Sequence, residues 1–154
     1  MATVDEAHGF IRQFITSVGV DPNGCFNAQN KAYYLTRGSA SIEIFISSHP
    51  QQDGSARNFL RLFSQVAAVP ADHRELFYRR LLELSDQSLG VKLTIQPGTD
   101  KVYATFERDI TGIDASETAT CIADLGSWAD YLDDVIRKEF NIGSTTDANQ
   151  APKG

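Results

Sequence analysis

Between Lys31 and Ala67 three strand-like runs follow one another with only turn-length or loop-length separators, and this spacing constrains the fold more than any other feature of the chain. The first run is Ala32-Tyr33-Tyr34-Leu35-Thr36-Arg37. After Gly38-Ser39 comes the second, Ala40-Ser41-Ile42-Glu43-Ile44-Phe45-Ile46-Ser47, and after the polar stretch His49 to Ser55 the third, Asn58 to Ala67. All are rich in β-branched and aromatic residues. Parallel neighbours need a crossover of a dozen or more residues, usually a helix, and no separator here can hold one, so the strands are expected to pair antiparallel.

Helical periodicity frames these runs. Thr3 followed by Glu6 is a capping-box pattern, and Ala7, Phe10, Ile11, Phe14, Ile15 and Val18 then recur at helical spacing up to Gly19, predicting a helix over residues 4–18. Asp21-Pro22-Asn23-Gly24 ends it in a turn. Pro70-Ala71-Asp72 is a helix entry, and the stretch from His73 to Gln87 carries Leu76, Phe77, Leu81 and Leu84 on one stripe with Tyr78 and Leu82 beside it. Gly90 opens a further hairpin, in which Val91, Leu93 and Ile95 alternate with polar residues, turn through Pro97-Gly98-Thr99-Asp100 and return as Val102, Ala104 and Phe106. A last helix, capped near Asp114 to Ser116, runs to about Phe140 with Thr118, Ile122, Leu125, Ala129, Leu132 and Ile136 as its seam; Gly126 inside it marks a kink or a close approach to a neighbour. The expected fold is α+β in the order α-β-β-β-α-β-β-α, an antiparallel sheet with helices packed on it. Residues 1–142 form a single domain in this reading, and the small, polar residues 143–154 a disordered C-terminal tail.

Composition narrows the function by exclusion. Hydrophobic residues make up 42% and charged residues 22% of the 154, the balance of a chain that can bury a core. The net charge of −6 disfavours a phosphate backbone or an anionic lipid surface as partner, so neither nucleic acid nor membrane is expected. Arg74, Arg79 and Arg80, interleaved with Glu75 and Glu83, read as a solvated helix face. No apolar run approaches the roughly 18 residues of a membrane-spanning helix, and the N-terminus lacks the basic and apolar segments of a signal peptide. The expected location is cytoplasmic.

Motifs for chemistry are sparse. Cys25 and Cys121 stand in no ligand spacing, and His8, His49 and His73 have no Ser or Cys nucleophile in a familiar arrangement. Asp124, Asp130, Asp133 and Asp134 could place carboxylates on one helix face, yet with Arg137 and Lys138 beside them they read as a solvated surface rather than a metal site. Glycine-rich phosphate loops are missing. The expectation is a protein without catalytic residues, metal or cofactor.

What remains is surplus apolar surface. Side chains alternate between the faces of a sheet, so Ile42, Ile44 and Ile46 share one face while Phe45 takes the other; in the next run Leu60, Leu62 and Val66 oppose Phe59 and Phe63. If the helices cover one face only, Phe45, Phe59 and Phe63, with Tyr33 or Leu35, form an exposed patch suited to a client protein. If the helices wrap both faces, these phenylalanines are core. Either way the arc Leu76, Phe77, Tyr78, Leu81, Leu82 and Leu84 exceeds what one contact can hide, and a twofold interface between two copies would bury it.

Three segments carry a resemblance: Leu76-Phe77-Tyr78-Arg79-Arg80-Leu81-Leu82-Glu83-Leu84, the hairpin Val91-Lys92-Leu93-Thr94-Ile95 with Val102-Tyr103-Ala104-Thr105-Phe106-Glu107, and the helix end Asp133-Asp134-Val135-Ile136. Over roughly residues 58–140 the chain resembles the YbjN family, which shares the fold of the type III secretion chaperones. The resemblance implies a small, acidic, cytoplasmic homodimer without enzymatic activity that holds an extended or flexible segment of a client protein, assisting secretion or assembly, for example of a carboxysome shell. It also implies an alternative, a sensory-transduction regulator that responds to a small ligand.

Overall fold

The computed structural model describes residues 2–142; the segment 143–154, expected to be a tail, lies outside the described residues. These residues form three helices, α1 (Val4–Ser17), α2 (Arg74–Gln87) and α3 (Ala115–Phe140), and the strands β1 (Phe26–Asn27), β2 (Ala32–Arg37), β3 (Ala40–Pro50), β4 (Ala56–Ala68), β5 (Lys92–Ile95) and β6 (Lys101–Asp109). The strands make one sheet in the order β1-β2-β3-β4-β6-β5, every pair antiparallel. The order read from the sequence is therefore present, with the two-residue β1 added at the edge.

Local signals explain most boundaries. Both halves of the capping box form at α1: Thr3 Oγ1 accepts from the Glu6 N–H at 3.2 Å, and Glu6 Oε2 accepts from the Thr3 N–H at 2.7 Å. The helix closes where Gly19 turns to φ +81°, with the N–H groups of Gly19 and Val20 donating to the carbonyls of Thr16 and Ile15. Asp114 caps α3 by accepting from the Glu117 N–H at 2.7 Å. The entry to α2 differs from expectation. Its cap is His73, in a left-handed conformation at φ 56° and without a side-chain cap bond, so Pro70 and Asp72 lead into the helix but do not cap it.

The core lies between the helices and one face of the sheet. Ile42, Ile44, Leu60, Leu62, Val102 and Ala104 point into it from the strands, and Ile11, Ile15, Phe77, Leu81, Leu84 and the α3 seam meet them. Every seam residue expected on α3, from Thr118 to Ile136, is buried. A register shift in β4 between Gln65 and Ala67 lets Val66 and Ala67 both face inward. Gly126 is a close approach: a Cβ there would meet Arg37 Cδ at 2.9 Å and Ile42 Cδ1 at 3.0 Å. α2 packs at the other end, where Phe77 and Phe140 meet edge to face at 4.9 Å and Arg80 pairs with both carboxylate oxygens of Glu139.

The apolar arc of α2 is divided by this packing. Phe77, Leu81 and Leu84 are buried in the chain's own core, which corrects the expectation that they lie at an interface between copies: the stripe of the helix that carries them faces α3 and the sheet. Leu76 and Leu82 point outward, 63% and 72% exposed, with Tyr78 beside them and Leu89 just beyond the helix.

Candidate functional site: the open face of the sheet

All three helices contribute to the same core, and among the described residues no helix covers the opposite face of the sheet. Strand register decides what that face carries. Glu43 lies opposite Phe63, Phe45 opposite Arg61, Arg61 opposite Glu107, and Gln65 opposite Tyr103. The odd-numbered residues of the two long central strands thus form one surface, and each aromatic is half-buried by its neighbours across the strands.

Phe45 and Phe63 stack at 5.6 Å between centroids with planes 12° apart, and Tyr103 meets Phe63 edge-on at 6.1 Å. The Arg61 guanidinium sits over both phenylalanines, 4.8 Å from the Phe63 centroid and 5.8 Å from that of Phe45. Its Nε lies 3.2 Å from Glu107 Oε2 without the direction of a hydrogen bond, so this contact is ionic. Farther along, Phe59 is flanked by the His49 ring at 5.5 Å and by the Arg57 guanidinium at 5.1 Å. Together Phe59, Phe63, Phe45 and Tyr103 make an aromatic strip crossing three strands.

The charges around the strip are largely paired within the chain. Glu107 takes Lys92 as well as Arg61; the hydrogen bond from Lys92 and the charge of Arg61 hold its carboxyl below the usual range. Arg57 donates to Asp109 Oδ2 at 2.7 Å, and Asp109 is brought down to about 2, mainly because its other oxygen accepts from the Thr111 N–H and then because of Arg57. Burial, and then the charge of Glu43, raises the Tyr103 hydroxyl. A trough of about 470 Å³ runs beside the strip, floored by Phe45, Phe63 and Tyr103 and rimmed by Ile95 and Pro97. Such a surface, flat, aromatic and edged by paired charges, can hold apolar side chains of an extended chain while its rim meets that chain's polar backbone.

Two residues expected in the patch lie elsewhere. Tyr33 pairs with Ile44 and Leu35 with Ile42, so both belong to the helix face; Tyr33 is buried there beside Phe26, its hydroxyl 3.3 Å from His8 Nδ1. The one-residue offset of the pleat is the cause: Phe45 lies opposite Ala32, not opposite a tyrosine. Leu35 instead lines a second groove of about 440 Å³ with Phe14, Val18, Val20 and Ile122. It opens along the outer edge of β2. Because β1 reaches only Ala32 and Tyr33, no strand among the described residues pairs with that edge from Leu35 to Arg37.

The three histidines fall on separate elements: His8 on α1, His49 on β3 and His73 at the cap of α2. Burial lowers the His8 imidazole. Among the described residues no group of three or more His, Cys, Asp or Glu is placed to hold a metal ion, and no described helix is long and apolar enough to cross a membrane. Two of the α3 carboxylates are not the solvated surface expected of them. Asp130 and the buried Asp133 both reach the Gly38-Ser39 turn between β2 and β3. The signal was available: Asp133 follows Ala129 by four residues and precedes Ile136 by three, which sets it on the buried stripe.

No family model matches the chain, and no curated protein matches its sequence. Solved structures do match. One chain in the crystal structure of the ExsC–ExsE complex superposes with a TM-score of 0.62 at 12% identity, over 88% of this chain and 97% of that one. YbjN from E. coli, described as a candidate transcription regulator, superposes with a TM-score of 0.56 at 14% identity, over 87% of this chain and 93% of its own. Three helices packed on an open antiparallel sheet, in this order and over nearly the whole of both neighbours, give the chain a YbjN-like, type III secretion chaperone-like fold.

Proposed function

We propose that this protein is a non-enzymatic, cytoplasmic chaperone or adaptor that holds an extended segment of a client polypeptide on the open face of its sheet, and that it works as a homodimer. The observation that carries the reading is the aromatic strip of Phe45, Phe59, Phe63 and Tyr103 on a face without helices. Exposed contiguous apolar surface on a folded domain marks an interaction site. The unpaired edge of β2 suits the same occupant, since an extended chain can add to a sheet edge through backbone hydrogen bonds and seat apolar side chains in the adjoining groove. That one neighbour of like fold is found in a two-protein complex supports another protein as the class of partner.

The exposed Leu76 and Leu82 of α2, with Tyr78, support the second copy: leucines this exposed on one short helix are what a twofold contact would cover. The test is capture of client from the native host by the full chain and by Phe45→Glu and Phe63→Glu. Loss of capture with unchanged circular dichroism supports the reading; undiminished capture by both variants overturns it.

The groove of about 440 Å³ between α1, β2 and α3 favours a second reading, a regulator that takes a small apolar ligand, because its volume falls within the usual range for ligand pockets. Thermal stabilisation by a metabolite, lost on Leu35→Glu, would favour it.

A further inference from the structure

The turn that joins β2 to β3 is seated on two carboxyl groups of α3. Ser39 donates its backbone N–H to Asp130 Oδ1 at 3.1 Å, and its Oγ lies 3.0 Å from Asp130 Oδ1 and 2.8 Å from Asp133 Oδ2. Gly38, at φ +56°, brings the backbone so near that an added Cβ would lie 2.5 Å from Asp130 Oδ1. A hydroxyl carries one proton and can donate to one acceptor at a time. Were both carboxyls ionised, one of the two short contacts would set lone pair against lone pair, in a place where Asp133 is 2% exposed.

We infer that Asp130 and Asp133 share a single proton through the Ser39 hydroxyl, and that this proton latches the β2–β3 hairpin to α3 in a pH-dependent way. Asp133 keeps the proton and donates it to Ser39 Oγ; Ser39 in turn donates to ionised Asp130. The assignment follows from surroundings. Asp130 is only partly buried and accepts from the Ser39 backbone as well, and these bonds lower its carboxyl, whereas burial raises that of Asp133. The other charges facing the pair come from α3 and β2: Arg137, whose guanidinium is held by Asp134 Oδ1 at 2.6 Å, Asp134 itself, and Arg37 toward Asp130. α1, packed on α3, offers the shared core its apolar Ala7, Ile11 and Ile15, and its His8 is bonded to Tyr33.

When Asp133 loses its proton to solvent, the Ser39 hydroxyl can donate to only one of two neighbouring anions, its short contact to the other turns repulsive, and the turn is held at Asp130 by the Ser39 backbone N–H but loosens at Asp133 or at the hydroxyl. The folded protein holds this proton over an interval where the unfolded chain has released it, so stability falls as pH rises from the ordinary aspartate range, near 3.9, through the folded value. The hairpin so released carries Leu35, Arg37 and Ile42, which line the groove beside the β2 edge.

The experiment is a carboxyl-carbon NMR titration of the full chain from about pH 3 to about pH 9, with amide exchange at Ser39 followed in the same samples. Asp133 is expected to titrate above the ordinary aspartate range, with Ser39 exchange quickening in step, and Asp133→Asn, whose amide can still donate to Ser39, to lose the fall in stability across that interval. Titration of Asp133 within the ordinary aspartate range overturns the inference, as does an unchanged pH slope in a folded Asp133→Asn. Should that variant fail to fold, the wild-type titration alone decides.

Discussion

Phe45 and Phe63 stack diagonally across the β3–β4 pair, their planes 12° apart, on the side of the sheet away from the helices. Neither is needed to close the core, which Ile44 and Leu62 complete from the other side of the same strands. The stack is therefore surface that the fold could have made polar at little cost to itself.

Truncating it should separate stability from binding. Phe63→Ala removes one stacked partner and one cation–π face from a half-buried position, a loss of about 1 kcal/mol. Client capture should fall at least tenfold while the thermal transition stays cooperative. Calorimetry beside a pull-down measures both, and equal capture by Phe63→Ala and wild type would remove the strip from the client site.

The two sides of α2 should respond in opposite ways. Leu82→Glu places a charge where the side chain is already 72% exposed, so the isolated subunit should change by less than about 0.5 kcal/mol. Phe77→Ala opens the core against Phe140 and should cost about 3–5 kcal/mol. Light scattering at tens of micromolar should find Leu82→Glu monomeric where the wild type is dimeric; a monomeric wild type would instead dissociate α2 from any role between copies.

Gly38→Ala should destabilise strongly for its size. The left-handed conformation alone costs about 1–2 kcal/mol in a residue with a Cβ, and that Cβ would collide with Asp130 Oδ1. Denaturant unfolding measures the sum, and a neutral result would mean that the turn can move off α3 freely.

Gly126→Val tests the contact between α3 and the hairpin. Alanine would gain helix propensity of about 1 kcal/mol at this site, but its Cβ already meets Arg37 Cδ and Ile42 Cδ1, and the branched valine crowds them further. Overpacking there should cost about 1–3 kcal/mol despite a better helix former, as read from the chemical midpoint.

Much of this architecture was legible beforehand. Thr3 and Glu6, the seam from Thr118 to Ile136, and the alternation through Val102 and Ala104 are local patterns, and local patterns survive folding because caps and periodicity act over a few residues. Alternation along β2 says which residues share a face, not which face meets the helices, and so leaves Tyr33 and Leu35 open to either side; a register of Ala32 against Phe45 settles that. The local sequence around Asp130 and Asp133 suggests a solvated surface because their partner, Ser39, is more than ninety residues away.

By itself, then, the sequence determined the order of elements, the antiparallel pairing and the surplus of apolar residues, since each follows from spacing and side-chain type along the chain. Which surplus stays outside is set by packing between distant segments. Phe77, Leu81 and Leu84 went into the core and Leu76 and Leu82 did not; Phe45 and Phe63 were left on the open face and Tyr33 was covered. Burial is a property of what packs against a residue, and that depends on where three helices, distant in sequence, settle on one side of a sheet.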